Sequence, residues 1–118
     1  MTLVLVALAG GLGAAARYGV DLALSSPTTS RLPHATLAVN LTGSLLIGLL
    51  VGASAGADTL TVLGTGLLGG YTTFSSASVE VARRILSGRR IDGMLTAIAM
   101  MVGCVGLASV GVFLGHLV

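Results

Sequence analysis

The sequence predicts an all-α membrane protein of four transmembrane helices with a break in the third. Three observations carry that expectation. The first is the poverty of charge. Of 118 residues, six are Arg, none is Lys, and four are Asp or Glu, so charged side chains make up 8%, against about 25% in an average soluble domain. With 54% hydrophobic residues and a mean hydropathy of +1.03, there is too little polar surface to cover a water-soluble globule. A cytosolic enzyme domain, a nucleic-acid binder and a disordered chain are all excluded on that ground. The net charge of +2 comes from four arginines in one short stretch and says nothing about nucleic acid.

The second observation is the spacing of uncharged runs. A spanning helix needs about 20 mostly apolar residues. Positions 1–16 are uncharged and end at Arg17, so a helix starting at Leu3 carries that arginine and closes near Leu22. Uncharged runs at 35–57, 59–79 and 93–115 follow, predicting helices over about 35–54, 60–82 and 93–116. Connections fall near 23–34, 54–60 and 83–92. Ala14-Ala15-Ala16 resembles a small-residue cleavage site, but no Lys or Arg precedes the apolar run, so the first segment is expected to be a helix rather than a cleaved signal. Cys104 is the single cysteine and is read as a packing residue.

Glycine accounts for 18 residues. Gly48/Gly52/Gly56, Gly66/Gly70 and Gly111/Gly115 are small-xxx-small sets that let helices approach closely. There is no Trp and hence no aromatic belt.

The third observation is where polar residues sit. Asn40 lies five residues past Ala35, with Thr42 and Ser44 after it; its amide is either a functional donor or the glue of an interhelical hydrogen bond. Gly69-Gly70-Tyr71-Thr72-Thr73-Phe74-Ser75-Ser76 occupies the middle of the third run. Two glycines followed by four hydroxyls make a poor lipid-facing helix. A break there frees backbone carbonyls, which must be buried in protein or coordinate a cation; the alternative is an unbroken Ser/Thr-rich packing face. Arg17 either snorkels to the interface or draws anions into a vestibule. Glu80, near the end of the third span, is open to pairing with a loop arginine.

Four helices place both termini and the second connection on one side of the membrane, and the first and third connections on the other. The latter side holds Arg31, Arg83, Arg84, Arg89 and Arg90, while the former holds no Lys or Arg. The positive-inside rule puts the arginines in the cytoplasm and both termini outside.

Gly10-Gly11-Leu12-Gly13-Ala14 with Arg17-Tyr18, then Thr36-Leu37-Ala38-Val39-Asn40-Leu41-Thr42-Gly43-Ser44, then Gly66 through Ser75 with Glu80 resemble the three helix signatures of the CrcB/Fluc fluoride channels. The resemblance implies an antiparallel (inverted) dimer of two oppositely oriented subunits with fluoride passing through narrow pores between them. It further implies a structural, untransported sodium ion (Na+) on the dimer axis, held here by the carbonyls of Gly69 and Thr72. Asn40 and Phe74 would handle fluoride, with Thr73 and Ser75 beside them. Arg17, Thr36 and Glu80 would lie at the vestibule or close to the pore. The positive edge of an aromatic ring receives an anion weakly, which suits conduction through successive sites.

The chain departs from that pattern at two places. A second phenylalanine usual three residues after the first is Ala77, and the polar track of the fourth helix falls on Ile98, Val102 and Gly106. Single-gene members of the family carry weak charge bias because each copy inserts both ways. Five arginines against none fix one orientation, so the expected partner is a non-identical family member of opposite bias, with one working pore; a homodimer is the second choice. Two other functions compete. A small multidrug-resistance-type proton-coupled exporter also has four helices but needs a membrane-embedded carboxylate, and Asp21 stands only at the far end of the first helix. A non-conducting assembly subunit would leave Asn40 and Phe74 dispensable.

Overall fold

The computed structural model describes residues 1–25, 27 and 29–118. Two positions of the first connection, 26 and 28, therefore lie outside the described residues. Every regular element among the described residues is helical. Helix α1 is Thr2–Ala23 and α2 is His34–Gly52. A continuous helical run over 57–71 comprises α3 (Ala57–Thr59), a π-helical stretch (Leu60–Leu68) and α4 (Gly69–Tyr71). Helix α5 is Phe74–Leu86 and α6 is Arg90–Gly115. Helices α1, α2 and α6 are each long and apolar enough to cross a membrane; the chain is a multi-pass membrane protein.

The third segment, expected over 60–82 with a break in it, is not one continuous helix. Thr72 (φ −81°, ψ 163°) and Thr73 (φ −148°, ψ 116°) are extended and separate α4 from α5. Thr73 then caps α5, its hydroxyl accepting from the Ser76 N–H at 3.1 Å, as an N-cap threonine does.

Glycine sets which helices touch. A methyl group on Gly48 would strike the Ala108 carbonyl, one on Gly52 the Val112 carbonyl and one on Gly111 the Leu45 carbonyl, while one on Gly115 would lie 2.6 Å from the Ala53 nitrogen. Helices α2 and α6 thus lie backbone to backbone and parallel. Gly10, Gly13, Gly66 and Gly70 make the same kind of seam between α1 and the 57–71 run, where a methyl on Gly13 would strike the Leu67 carbonyl and one on Gly70 the Gly10 carbonyl. This pair is also parallel. Gly56 breaks the expected pattern: nothing lies near it, and it packs no helix.

Two parallel pairs joined by three connections give an up-down-up-down course. The first and third connections meet at one end, where arginines tie them together. Arg84 donates to the Ser30 and Arg31 carbonyls and Arg89 to those of Thr29 and Ser30. Asp92 pairs with Arg89 at 2.9 Å and reaches Arg31 at 3.9 Å. At the other end Gly115 packs on Ala53, which brings the C-terminus beside the second connection.

Two helix ends use the same stop. Gly88 (φ +85°) and Ser54 (φ +53°) both take the left-handed conformation. In each case the next N–H reaches back into the last turn, Arg89 to Arg84 at 2.8 Å and Ala55 to Leu50 at 3.1 Å. This is the Schellman closure of orphan carbonyls.

Candidate functional site

An apolar cleft of about 880 Å³ opens between α2, the 57–71 run, α5 and α6. Its polar lining comprises Asn40, Ser44, Ser78 and the Thr72-Thr73 interruption. An interruption of a helix frees backbone groups that cost free energy if buried without a partner, so the partners of Thr72 and Thr73 are the core of the site.

Asn40, on α2 and 9% exposed, is turned onto Thr73. Its Nδ2 donates to the Thr73 carbonyl at 2.9 Å and its Oδ1 accepts from the Thr73 N–H at 2.8 Å. The side-chain amide therefore replaces the helical partners that Thr73 lost. The second Nδ2 proton is aimed at the Met100 sulfur, 3.6 Å away. A thioether is a weak acceptor, so this proton is the one the amide holds least firmly.

Thr72 is anchored just as completely. Its N–H and its hydroxyl both donate to the Leu68 carbonyl at 2.9 Å, and its own carbonyl accepts from the Arg17 guanidinium at 3.0 Å. Its methyl fits against α2 only because position 43 is glycine; a methyl on Gly43 would strike it. Tyr71 closes the group, sharing a 3.0 Å hydrogen bond with Thr42.

Phe74, the first residue of α5, faces outward and is 88% exposed while also edging the cleft. Ser75 is exposed and lies 3.4 Å, hydroxyl to hydroxyl, from buried Thr73. Thr36 is buried on α2, one turn before Asn40. Gly69 lines the cleft beside Thr72. Residues 17, 40, 69 and 72–75 thus converge on one locus, though they derive from three separate signatures in the sequence.

Other expected positions go elsewhere. Glu80 does not line the cleft; it pairs with Arg84 one turn on. The cleft face of α6 is Ala97, Met100, Met101, Cys104 and Val105, and Ile98, Val102 and Gly106 lie outside that lining. Ile98 and Val102 are exposed. Either face lacks a hydroxyl. Cys104 is free and half-buried in that lining. Arg17 neither snorkels away nor stands free: it is half-buried against the interruption.

Met100 is absent from the expectations, whereas Arg84 is the loop arginine to which Glu80 was open. Met100 had no signal in the sequence, being one apolar residue in a long apolar helix. Arg84 is 6% exposed despite lying in an arginine-rich stretch. Its spacing of four from Glu80 was the available clue, since such residues meet on a helix.

A family model described as CrcB-like protein, Camphor Resistance (CrcB) matches residues 4–112. The chain belongs to the CrcB family. Among relatives of this CrcB-family chain, the fluoride-specific ion channel FluC 2 of Cutibacterium acnes is 43% identical over 98% of each chain. FluC 1 of Leifsonia xyli subsp. xyli is 41% identical, the alignment covering 95% of this chain and 85% of the relative. FluC 1 of Ligilactobacillus salivarius is 42% identical over 95% and 97% of the two chains. These relatives are named as ion channels, not as enzymes. The matches run through α1, α2, the interruption and most of α6, so they include every element that builds the site.

Proposed function

We propose that the chain is a subunit of a fluoride-specific channel that lowers cytoplasmic fluoride by passive export across the cell membrane of a prokaryote. The observation that carries this reading is the interruption at Thr72-Thr73, whose freed groups are held by Asn40 and Arg17 beside an outward-facing Phe74. A guanidinium and the N-terminal end of α5 make this an electropositive point beside the cleft, where an anion gains most. On this reading segment 57–86 crosses the bilayer as one broken span. Fluoride passes along the face where Phe74, Thr73 and Ser75 meet a second subunit. It borrows the Asn40 proton that otherwise rests on the Met100 sulfur, while Thr36 and Arg17 lie on the approach. Weak, successive sites favour throughput over retention. Hydrogen fluoride that enters from an acidic medium dissociates inside, and a passive path then lets the membrane potential drive the anion out.

The second subunit is an antiparallel partner. The two arginine-bearing connections lie at the same end of the bundle, and the positive-inside rule places that end in the cytoplasm and both termini outside. One fixed orientation calls for a partner with the reverse bias, most simply a non-identical family member. Ala77 and the hydroxyl-free α6 face fit a dimer in which the partner supplies the missing lining of a single working pore.

A sodium ion fits the interruption. Its donors would be neutral backbone carbonyls beside the break, the ligand type that such breaks offer sodium, and one of them already accepts from a cation, Arg17. Gly69 and Thr72 are the residues that would hold it. Sodium supplies fixed positive charge at the centre of the assembly and is not transported.

Fluoride efflux from liposomes tests the reading. The chain alone should pass little fluoride, and adding an oppositely biased family member should open the flux. Robust flux from the isolated chain would remove the one-pore heterodimer in favour of a homodimer. A mixture that assembles without conducting would leave an assembly subunit. In the conducting assembly Phe74→Ile keeps bulk but loses the polar ring edge, so flux should fall at least about tenfold with assembly intact. Unchanged flux would reduce Phe74 to packing.

A further inference from the structure

Arg17 occupies an atom that the sodium reading also requires. Its guanidinium donates to the Thr72 carbonyl at 3.0 Å, and among the described residues no carboxylate forms an ion pair with it. The charge of Arg17 is thus met by backbone oxygen, which makes it a cation poised on a cation ligand. The carbonyl itself is not free to turn away. Thr72 is pinned by its N–H and its hydroxyl, both on the Leu68 carbonyl, and Thr73 on its far side is clamped in both directions by Asn40. A carbonyl has two lone pairs, but two cations within about 4 Å of each other repel strongly in a low-dielectric interior. The flexible partner is the arginine side chain.

We propose that Arg17 is a tethered competitor of sodium at the interruption: its guanidinium holds the Thr72 carbonyl when sodium is absent and leaves it when sodium binds. The proposal rests on the reading that Gly69 and Thr72 hold sodium. It explains how the subunit keeps a freed carbonyl satisfied before assembly, when the partner half of an axial site is not yet present. The competition therefore depends on the sodium concentration. Once displaced, the guanidinium becomes available to anions on the approach to the pore.

The test measures dissociation of the purified assembly containing the full chain. Sodium is exchanged for N-methyl-D-glucamine at constant ionic strength, and the sodium concentration giving half of the stabilisation is read. Arg17→Gln removes the competing cation and should lower that concentration about tenfold or more, the size expected for one charge-assisted hydrogen bond. Arg17→Lys keeps the charge without the planar fork and should fall between Arg17→Gln and the native chain. If Arg17 only props the fold, the variants change stability in the absence of sodium but share the native midpoint, and the competition is overturned while the sodium site stands. No response to sodium in any of the three proteins overturns both. Should Arg17→Gln fail to assemble, Arg17→Lys decides, since a midpoint equal to the native one overturns the proposal.

Discussion

The α2–α6 seam and the Thr72-Thr73 interruption face the same problem with opposite chemistry. Both bring backbone close to backbone in a protein whose surroundings offer no water. Along the seam the backbone groups are for the most part bonded within their own helices, so the main need is to remove side chains, and Gly48, Gly52, Gly111 and Gly115 do so. At the interruption the backbone groups are freed, so side chains have to be brought in. Asn40 pairs with Thr73 and Arg17 with Thr72. The difference teaches where specificity resides. A glycine seam is intolerant of bulk but indifferent to chemistry, whereas the interruption needs particular donors and acceptors in particular places.

Substitutions separate the two. The largest effect should come from Gly111→Leu, which drives a side chain into the Leu45 carbonyl with no flexible neighbour to give way. A loss of about 3 kcal/mol or more is expected, read as early unfolding in a denaturant titration in detergent. An unchanged midpoint would mean that α2 and α6 are not locked together. Next in size, Asn40→Leu keeps the branched shape but strands the N–H and carbonyl of Thr73, a buried residue. Each stranded group costs about 1–3 kcal/mol, so the same titration should show a loss of about 2 kcal/mol or more. Conduction should be lost more completely than stability. A variant that is stable and conducting would show that water or a rearranged backbone replaces the amide.

The smallest effects lie at the two Schellman ends. Gly88→Ala places a side chain at φ +85° and should cost about 1 kcal/mol. Ser54→Gly relieves the same strain at φ +53° and should add about 1 kcal/mol at most. Shifts of equal sign in the two thermal midpoints would contradict this account of the helix ends.

Much of the architecture was legible in the sequence because it depends on composition along one line. Uncharged runs locate α1, α2 and α6 since each must present apolar residues all round. The glycine sets at 48/52, 66/70 and 111/115 mark contacts, yet Gly56 has the same spacing and packs on nothing. Spacing alone does not say whether a neighbour is present. For a related reason, a helix such as α6 that is apolar on every side offers no periodic contrast to show which stripe borders the cleft.

Within the site, the sequence identified the chemistry but not the pairing. Gly69-Gly70 beside Thr72-Thr73 announces where a helix is hard to continue, and Asn40 and Arg17 announce polar groups at depth, because both follow from the cost of burying polar atoms in hydrocarbon. By itself the sequence thus determined the class of protein, the positions of its helical segments and the residues able to do polar work. Only the tertiary structure decided that Asn40 clamps Thr73, that Arg17 holds the Thr72 carbonyl, that Glu80 turns to Arg84 and that Met100 meets the Asn40 amide. These pairings join residues up to 60 positions apart, and their geometry is set by which glycines let which backbones approach.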